Sequence, residues 1–371
     1  MSSILDFVFY TFIVVVSIQV AYYLIVFSRF AFSKQQSNTL KNIPVSIIIC
    51  AKNEAENLEK FIPSIANQDY HNFQIVLVND ASKDNSLDVM ENLASKYNNI
   101  KIVDVKNNEA FWANKKYALT LGIKASKYDY LVFTDADCKP VSKYWLKEIA
   151  SSFSNQKTIV LGYGGYEKIK NSFLNKLIRF ETLLTALQYF SYAKIGMPYM
   201  GVGRNLAYRK DEFFKVNGFV NHIDINSGDD DLFINSIANK TNTALCYTPN
   251  SFTTSLAKKT YKNWFRQKRR HVSTAKRYKP THKLLLALFY FSQILFWAIG
   301  IFLMAIKLKL YIVLSIFAIT ILIKYLIIGF SAKKLKELDL IILYPFLELF
   351  LILFQFSIFI VNLISKPKHW K

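Results

Sequence analysis

Two carboxylates one residue apart, Asp135 and Asp137, follow the apolar run Tyr130-Leu131-Val132-Phe133. In an extended exit from a strand, residues i and i+2 point the same way, so both can address one small region. Open α/β sheets bind ligands at the carboxyl ends of their strands. An acidic pair there suits a hard divalent cation and the phosphates it neutralises. A solvated turn gives the same short pattern, so the other polar groups must decide. Asp80 ends a second strand-like run, Gln74 to Val78, within Asn79-Asp80-Ala81-Ser82-Lys83-Asp84. In Gly201-Val202-Gly203-Arg204-Asn205, two glycines allow close backbone approach, and Arg204 and Asn205 bring polarity into an apolar segment. Gly228 is followed by Asp229, Asp230 and Asp231. Helix capping accounts for one or two of these three, and the remaining one is a candidate general base. Gln267 and Arg270 share one face of a basic stretch, where an arginine can meet a leaving diphosphate.

These residues need a sheet to carry them. Pro44 opens the β-branched run Val45 to Cys50, which reads as a buried parallel strand leading through Ala51-Lys52-Asn53-Glu54 into a helix over 55–66. Strands over 74–78, 101–105 and 130–133 alternate with a helix carrying Leu87, Met90 and Leu93 and another over 115–126. That alternation predicts a mostly parallel sheet with right-handed crossovers. A helix over 142–153, a strand over 158–163 and a helix over 173–192 follow. The last is a core helix, or one lying against a membrane or an apolar acceptor path. No Gly-x-Gly-x-x-Gly follows the first strand and no Gly-rich loop carries Lys-Ser or Lys-Thr, which argues against dinucleotide and P-loop folds. A nucleotide would then be held by side chains, with Asp80 on base or ribose and the Asp135–Asp137 edge on the metal and diphosphate.

Four apolar runs, Phe7 to Phe27, Leu284 to Ile306, Leu310 to Ile328 and Leu338 to Ile364, are each long enough to cross a bilayer. The first lacks a basic start and a small-x-small cleavage site, so it reads as a retained anchor. The domain reading is an anchor over 1–30, a soluble domain over 31–254, a basic amphipathic interfacial segment over 255–282, helices over 283–306, 308–329 and 338–364, and a basic tail over 366–371. Arg29, Lys34 and Lys41 follow the first run, so the positive-inside rule places the middle domain in the cytoplasm of a multi-pass inner or plasma membrane protein. The tail violates that rule, and Pro345 and Glu348 in the last run predict a kink or a protein-facing position. The net charge of +21 gathers at 261–283 and 333–336, beside apolar runs, which favours anionic lipid over nucleic acid as partner. Three scattered cysteines, Cys50, Cys138 and Cys246, make no zinc pattern and suit a reducing compartment.

Taken together the motifs resemble the family 2 glycosyltransferases in their membrane-anchored bacterial form, similar to the cellulose and hyaluronan synthase-like group. The resemblance covers about residues 43–271. It implies an α/β GT-A fold and an inverting transfer from a nucleotide-diphospho-sugar, with UDP favoured over GDP. Ser46 to Glu54 resembles the opening strand and nucleotide-binding loop, implying roles for Ala51, Asn53 and Glu54. The Val78 to Asp84 segment resembles the uracil-contacting aspartate stretch, and Lys115 to Leu119 the lysine helix, with Asn114 where glycine is usual. Thr134 to Asp137 resembles the Asp-x-Asp motif, implying Asp137 as the direct ligand of Mg2+ or Mn2+ and Asp135 as a contact of the sugar-nucleotide. Gly201 to Asn205 resembles the acceptor-side segment, and Gly228-Asp229-Asp230 the Gly-Glu-Asp base motif. Asp229 fits the register with Leu232 and Asp230 the register with Phe233; Asp230 is the preferred base. Gln267 to His271 resembles Gln-x-x-Arg-Trp, but His271 replaces the acceptor-binding tryptophan of polymer-making members. The expectation is transfer to a lipid or lipid-linked glycan at the inner membrane face; a processive synthase and a non-catalytic scaffold or transporter are the competing classes.

Overall fold

The computed structural model describes residues 2–35, 42–106, 115–225 and 227–365. Lys41, Asn114 and the 366–371 tail lie outside them. The chain forms two compact units. One holds Gln35–Asn171 and Gly196–Lys259; the other holds the N-terminal helix, Ser172–Ile195 and the chain from Thr260 onward.

The first unit contains the ten strands: β1 Val45–Ala51, β2 Phe73–Asp80, β3 Ile100–Val105, β4 Tyr130–Phe133, β5 Cys138–Pro140, β6 Ile159–Leu161, β7 Gly164–Tyr166, β8 Leu206–Arg209, β9 Thr243–Leu245 and β10 Thr253–Ser255. The main sheet runs β3-β2-β1-β4-β8-β6-β9. β1 pairs in parallel with β2 and β4, β2 with β3, and β6 with β9. β8 runs antiparallel to both β4 and β6, so the sheet is mixed at that one strand. The sequence explains the central position of β1: Ile47, Ile48 and Ile49 are all fully buried, as a parallel strand covered on both faces requires. Helices Ala55–Ala66, Ser86–Lys96 and Lys115–Ala125 make the crossovers. Gly122 permits the last of these to lie close on the sheet, since a Cβ there would stand 2.7 Å from Val78 Cγ2 and 3.1 Å from Ile48 Cγ2. A second sheet, β5-β10-β7, pairs Thr253, Thr254 and Ser255 antiparallel to β5 and parallel to β7. Thr253 to Ser255 are thus strand residues, and the basic helix begins later, at Tyr261.

The second unit carries four helices long and apolar enough to span a bilayer: Ser3–Ala31, Pro280–Ala305, Leu310–Lys334 and Leu338–Ile364. The first is interrupted by a π-helical stretch at Tyr22–Phe27, and the last starts as a 3-10 segment, Leu338–Leu343, before its α-helix Tyr344–Ile364. Pro345 sits in the first turn of that α-helix, where its missing N–H has no intrahelical acceptor to lose, so it introduces no mid-helix kink. Glu348 is fully buried and accepts from Gln293 Nε2 at 2.8 Å and Trp297 Nε1 at 3.0 Å, with Lys324 Nζ at 3.4 Å. This is the protein-facing position that an intramembrane carboxylate demands.

Helix Phe173–Lys194, which the sequence reading placed in the middle domain, groups with these apolar helices. It is buried on nearly all sides and carries two charges with distant partners. Arg179 pairs with Glu337 and, at 2.7 Å, with Asp339, and Glu181 pairs with Lys268 at 2.5 Å. Helix Tyr261–Thr274 is capped by Thr260, which accepts from Asn263 N at 3.2 Å. Its fully buried Trp264 stacks on Phe354 at 3.9 Å.

Lys324→Met should destabilise the apolar helices by about 3–5 kcal/mol, because it strands a buried charge at Glu348. Pairing it with Glu348→Gln should restore most of the loss. Melting of the detergent-solubilised variants, followed by tryptophan fluorescence, checks that order.

Candidate active site

The site is built at the carboxyl ends of β1, β2 and β4. β4 ends at Phe133 and delivers Thr134 and Asp135. Asp135 Oδ1 receives Lys115 Nζ at 2.9 Å, and the same ammonium reaches Asp229 Oδ2 at 3.0 Å. Lys115 lies in the first turn of the crossover helix, so the close helix–sheet approach at Gly122 brings an ammonium to the strand end. Burial opposes its charge, but Asp135 and Asp229 outweigh that and hold the amine well above the ordinary lysine range.

Asp230 occupies the N-cap of helix Asp231–Ile237 and accepts from Asp231 N at 2.7 Å. Its second oxygen accepts from Gly203 N at 2.7 Å. Gly203 comes from the turn before β8, so the glycine-bearing segment touches the acidic turn through its backbone. Burial, then Asp229 and Asp231, push the Asp230 carboxyl up to about 7, against the pull of the Gly203 hydrogen bond and Lys115. Lys115, Asp135, Asp229, Asp230 and Gly203 line one open cleft with about 340 Å3 of empty space, walled by Ile48, Cys50, Leu119, Phe133, Leu206 and Tyr208.

Asp135, Asp137 and Cys138 bring one ligand atom each within 4.8 Å of one another. The two carboxylates fit a hard cation. Burial and the neighbouring Asp135 and Glu54 raise the Asp137 carboxyl, a cost that a bound cation would remove. Cys138 fits less well: burial, Asp137 and Asp135 hold its thiol far above the ordinary range, and its Sγ lies 3.5 Å from Asp137 Oδ1 as a donor. Mg2+ or Mn2+ on Asp137 and Asp135 therefore suits the donor set.

The residues expected to meet the nucleotide form their own braced edge. Asp80 pairs with Lys52 at 3.6 Å. Asn53 takes a left-handed φ of 55°, and its side chain accepts from Lys83 N at 2.7 Å while its own N–H donates to Ser82 Oγ at 3.0 Å. Glu54 N donates to Ser86 Oγ and Ala55 N to Asp84 Oδ2. The loops after β1 and β2 thus hold each other, a function of Ser82, Asp84 and Ser86 that no spacing rule announces. Ala51 closes β1 beside Asn79.

The acceptor-side residues divide. Gly203 enters the cleft, whereas Gly201 packs inward: a Cβ there would meet Leu206 Cδ1 at 2.9 Å. Asn205 is fully buried, donating to Tyr163 O and Ser251 O and accepting from Trp145 Nε1, so it holds the turn. Arg204 donates to Gly165 O at 3.0 Å and Ser255 Oγ at 3.2 Å and lies over the Tyr166 ring. Its charge bears on Asp137, so it stands on the metal side. Gln267, Arg270 and His271 lie on helix Tyr261–Thr274 of the other unit. Lys52, Cys50 and Tyr208 belong to the edge and cleft without having been singled out in the sequence; only Lys52, inside the Ala51–Glu54 loop, carried a signal.

Residues 46–212 match the family model described as Glycosyl transferase family 2. The chain is 30% identical over 124 residues to 4,4'-diaponeurosporenoate glycosyltransferase of Staphylococcus haemolyticus, a match covering 33% of this chain and 32% of that protein. It is 36% identical over 93 residues to cholesterol galactosyltransferase of Borreliella burgdorferi, covering 25% of each. The chain thus spans about a third or less of these two relatives. A mannosyltransferase from Pyrobaculum calidifontis, solved with GDP-Man and Mn2+, superposes with a TM-score of 0.59 at 17% identity, over 93% of this chain and 99% of that one. That likeness shows the fold, a GT-A-like α/β domain with one N-terminal and three C-terminal long apolar helices.

Mn2+ should raise the melting temperature of the wild-type protein and not that of Asp137→Ala. Differential scanning fluorimetry across a metal titration reads this without any turnover.

Proposed function

We propose that this chain, whose residues 46–212 match the family model described as Glycosyl transferase family 2, moves a sugar from a nucleotide-diphospho-sugar to a lipid or lipid-linked acceptor at the cytoplasmic face of a membrane. The observation that carries the reading is the cleft itself. Lys115 joins Asp135 to Asp229, and Asp230 stands beside them on Gly203 N, so donor-side and base-side groups share one opening.

Bound Mg2+ or Mn2+ would supply charge neutralisation at the donor diphosphate. The chain's own residues do the rest. Asp137 and Asp135 hold that cation. Asp80, with Ala51, Asn53 and Glu54 around it, binds base and ribose. Lys115 keeps Asp135 and Asp229 aligned through its two ion pairs. Asp230 takes the proton of the acceptor hydroxyl, which attacks the anomeric carbon directly and inverts it; a base held near neutrality suits that task. Asp229 is the alternative base, but its ion pair with Lys115 occupies one oxygen. Gly203 borders the acceptor beside Asp230, while the roles of Gln267, Arg270 and His271 rest on the motif resemblance alone.

The four long apolar helices support a membrane acceptor, as does the relative named for cholesterol. Arg29 in the last turn of the first helix, and Lys333, Lys334 and Lys336 at the end of the third, support a cytoplasmic catalytic unit. A UDP-sugar is the first donor to test. The structural neighbour's GDP-Man makes GDP-mannose the second. His271 in place of the polymerase tryptophan favours single transfer over processive synthesis.

Membranes containing the protein, given labelled UDP- and GDP-sugars and extracted lipid, should yield one labelled lipid product. Asp230→Asn should lower its formation about 10²–10⁴-fold, and full activity in that variant would remove Asp230 from the mechanism. Because the wild-type base must be ionised, kcat/KM should fall about tenfold per pH unit below about 7. A profile flat to pH 5 would assign the proton to another group.

A further inference from the structure

Two adjacent lysines open helix Lys115–Ala125 and part company. Lys115 points into the cleft. Lys116 is only 2% exposed, and its ammonium donates to two backbone carbonyls, those of His222 and Ile225, the second at 2.8 Å. A buried ammonium is costly to keep, and an apolar side chain of like length would fill the same volume.

Those carbonyls belong to the segment that leads into the acidic turn. The His222 ring lies beside the Gly228 backbone and packs edge-on to Phe219. Gly228 has a φ of +96°, and a Cβ there would stand 2.5 Å from Leu232 Cδ1. The turn before Asp229 therefore depends on glycine. The helix holds it twice: Lys115 grips Asp229 from the front, and Lys116 grips 222 and 225 from behind.

We infer that Lys116, through His222, is a positioning residue that sets the geometry of the Asp229–Asp230 pair for proton abstraction. The inference rests on the proposed transfer reaction and goes beyond it, because Lys116 touches neither donor nor acceptor. The Lys116 hydrogen bonds fix the backbone at 222 and 225, and the His222 ring lies beside Gly228, the residue before Asp229. A base displaced by about 1 Å costs on the order of 10²-fold in rate while leaving substrate binding intact.

The test uses the full-length protein in nanodiscs. Lys116→Met keeps the length and deletes the donor. His222→Phe keeps a ring and removes the polar nitrogens beside Gly228, and it carries the test if Lys116→Met fails to fold. Each should lower kcat at least tenfold, per site counted by UDP or GDP binding with Mn2+. Donor KM and nucleotide affinity should stay within about twofold. Hydrogen–deuterium exchange should rise in peptides spanning 222–230 and stay unchanged in β1, β2 and β4. Lys116→Arg, which still donates, should recover part of the rate. Wild-type kcat per site in the variants, or unchanged exchange at 222–230, overturns the inference. Asp230→Asn run in parallel separates the two ideas. If it is inactive while Lys116→Met and His222→Phe are normal, only the clamp fails; if it is fully active, the base assignment fails whatever the clamp does.

Discussion

One ammonium between two carboxylates organises the candidate site. Lys115 draws Asp135, at the end of a central strand, and Asp229, in a turn nearly a hundred residues later, onto the same nitrogen. Without it, two carboxylates would line the same cleft with no cation between them. With it, both are held on one nitrogen, Asp135 from the strand end and Asp229 from the acidic turn. The remaining features serve that arrangement. Gly122 sets the helix close to the sheet, the buried Ile47, Ile48 and Ile49 of β1 give it a packed bed, and Gly203 lends a backbone donor to the neighbouring Asp230.

Much of this was legible in the sequence because parallel sheets write themselves plainly. The Val45–Cys50 run, the strand ending at Phe133 and the helix from 115 follow from β-branched content and helical spacing, and the acidic residues fall at strand ends. The four apolar helices were legible for the same reason, a simple length of apolar chain. Two kinds of feature were not. Pairings across long sequence distance leave no local trace: the Gly203–Asp230 hydrogen bond, the antiparallel insertion of β8, and the grouping of Phe173–Lys194 with the apolar helices depend on tertiary context. Division of labour between like neighbours is equally silent. Nothing in Lys115-Lys116 says that one serves the cleft and the other a backbone turn, and nothing in Arg204-Asn205 says that one faces the metal side while the other is consumed by Tyr163, Ser251 and Trp145.

The acidic trio shows how a modest reading and a chemical one can hold at once. Asp230 is a helix N-cap, as a cluster of aspartates ahead of an apolar run suggests, and it is also the carboxyl whose burial lifts it toward neutrality. Capping fixes its orientation, and burial, then crowding by Asp229 and Asp231, raises its carboxyl. Structural and chemical demands are met by one side chain because the helix terminus lies at the cleft.

The Lys324–Glu348 contact bears on how the protein is made. Ribosomes deliver the third long helix before the fourth, so a cation enters the bilayer while its counter-ion is still unsynthesised. The Phe296 and Tyr23 rings lie beside Lys324, and its carboxylate partner, Glu348, arrives with Tyr344–Ile364. A chain stopped short of that helix would keep the ring contacts and lose the counter-charge.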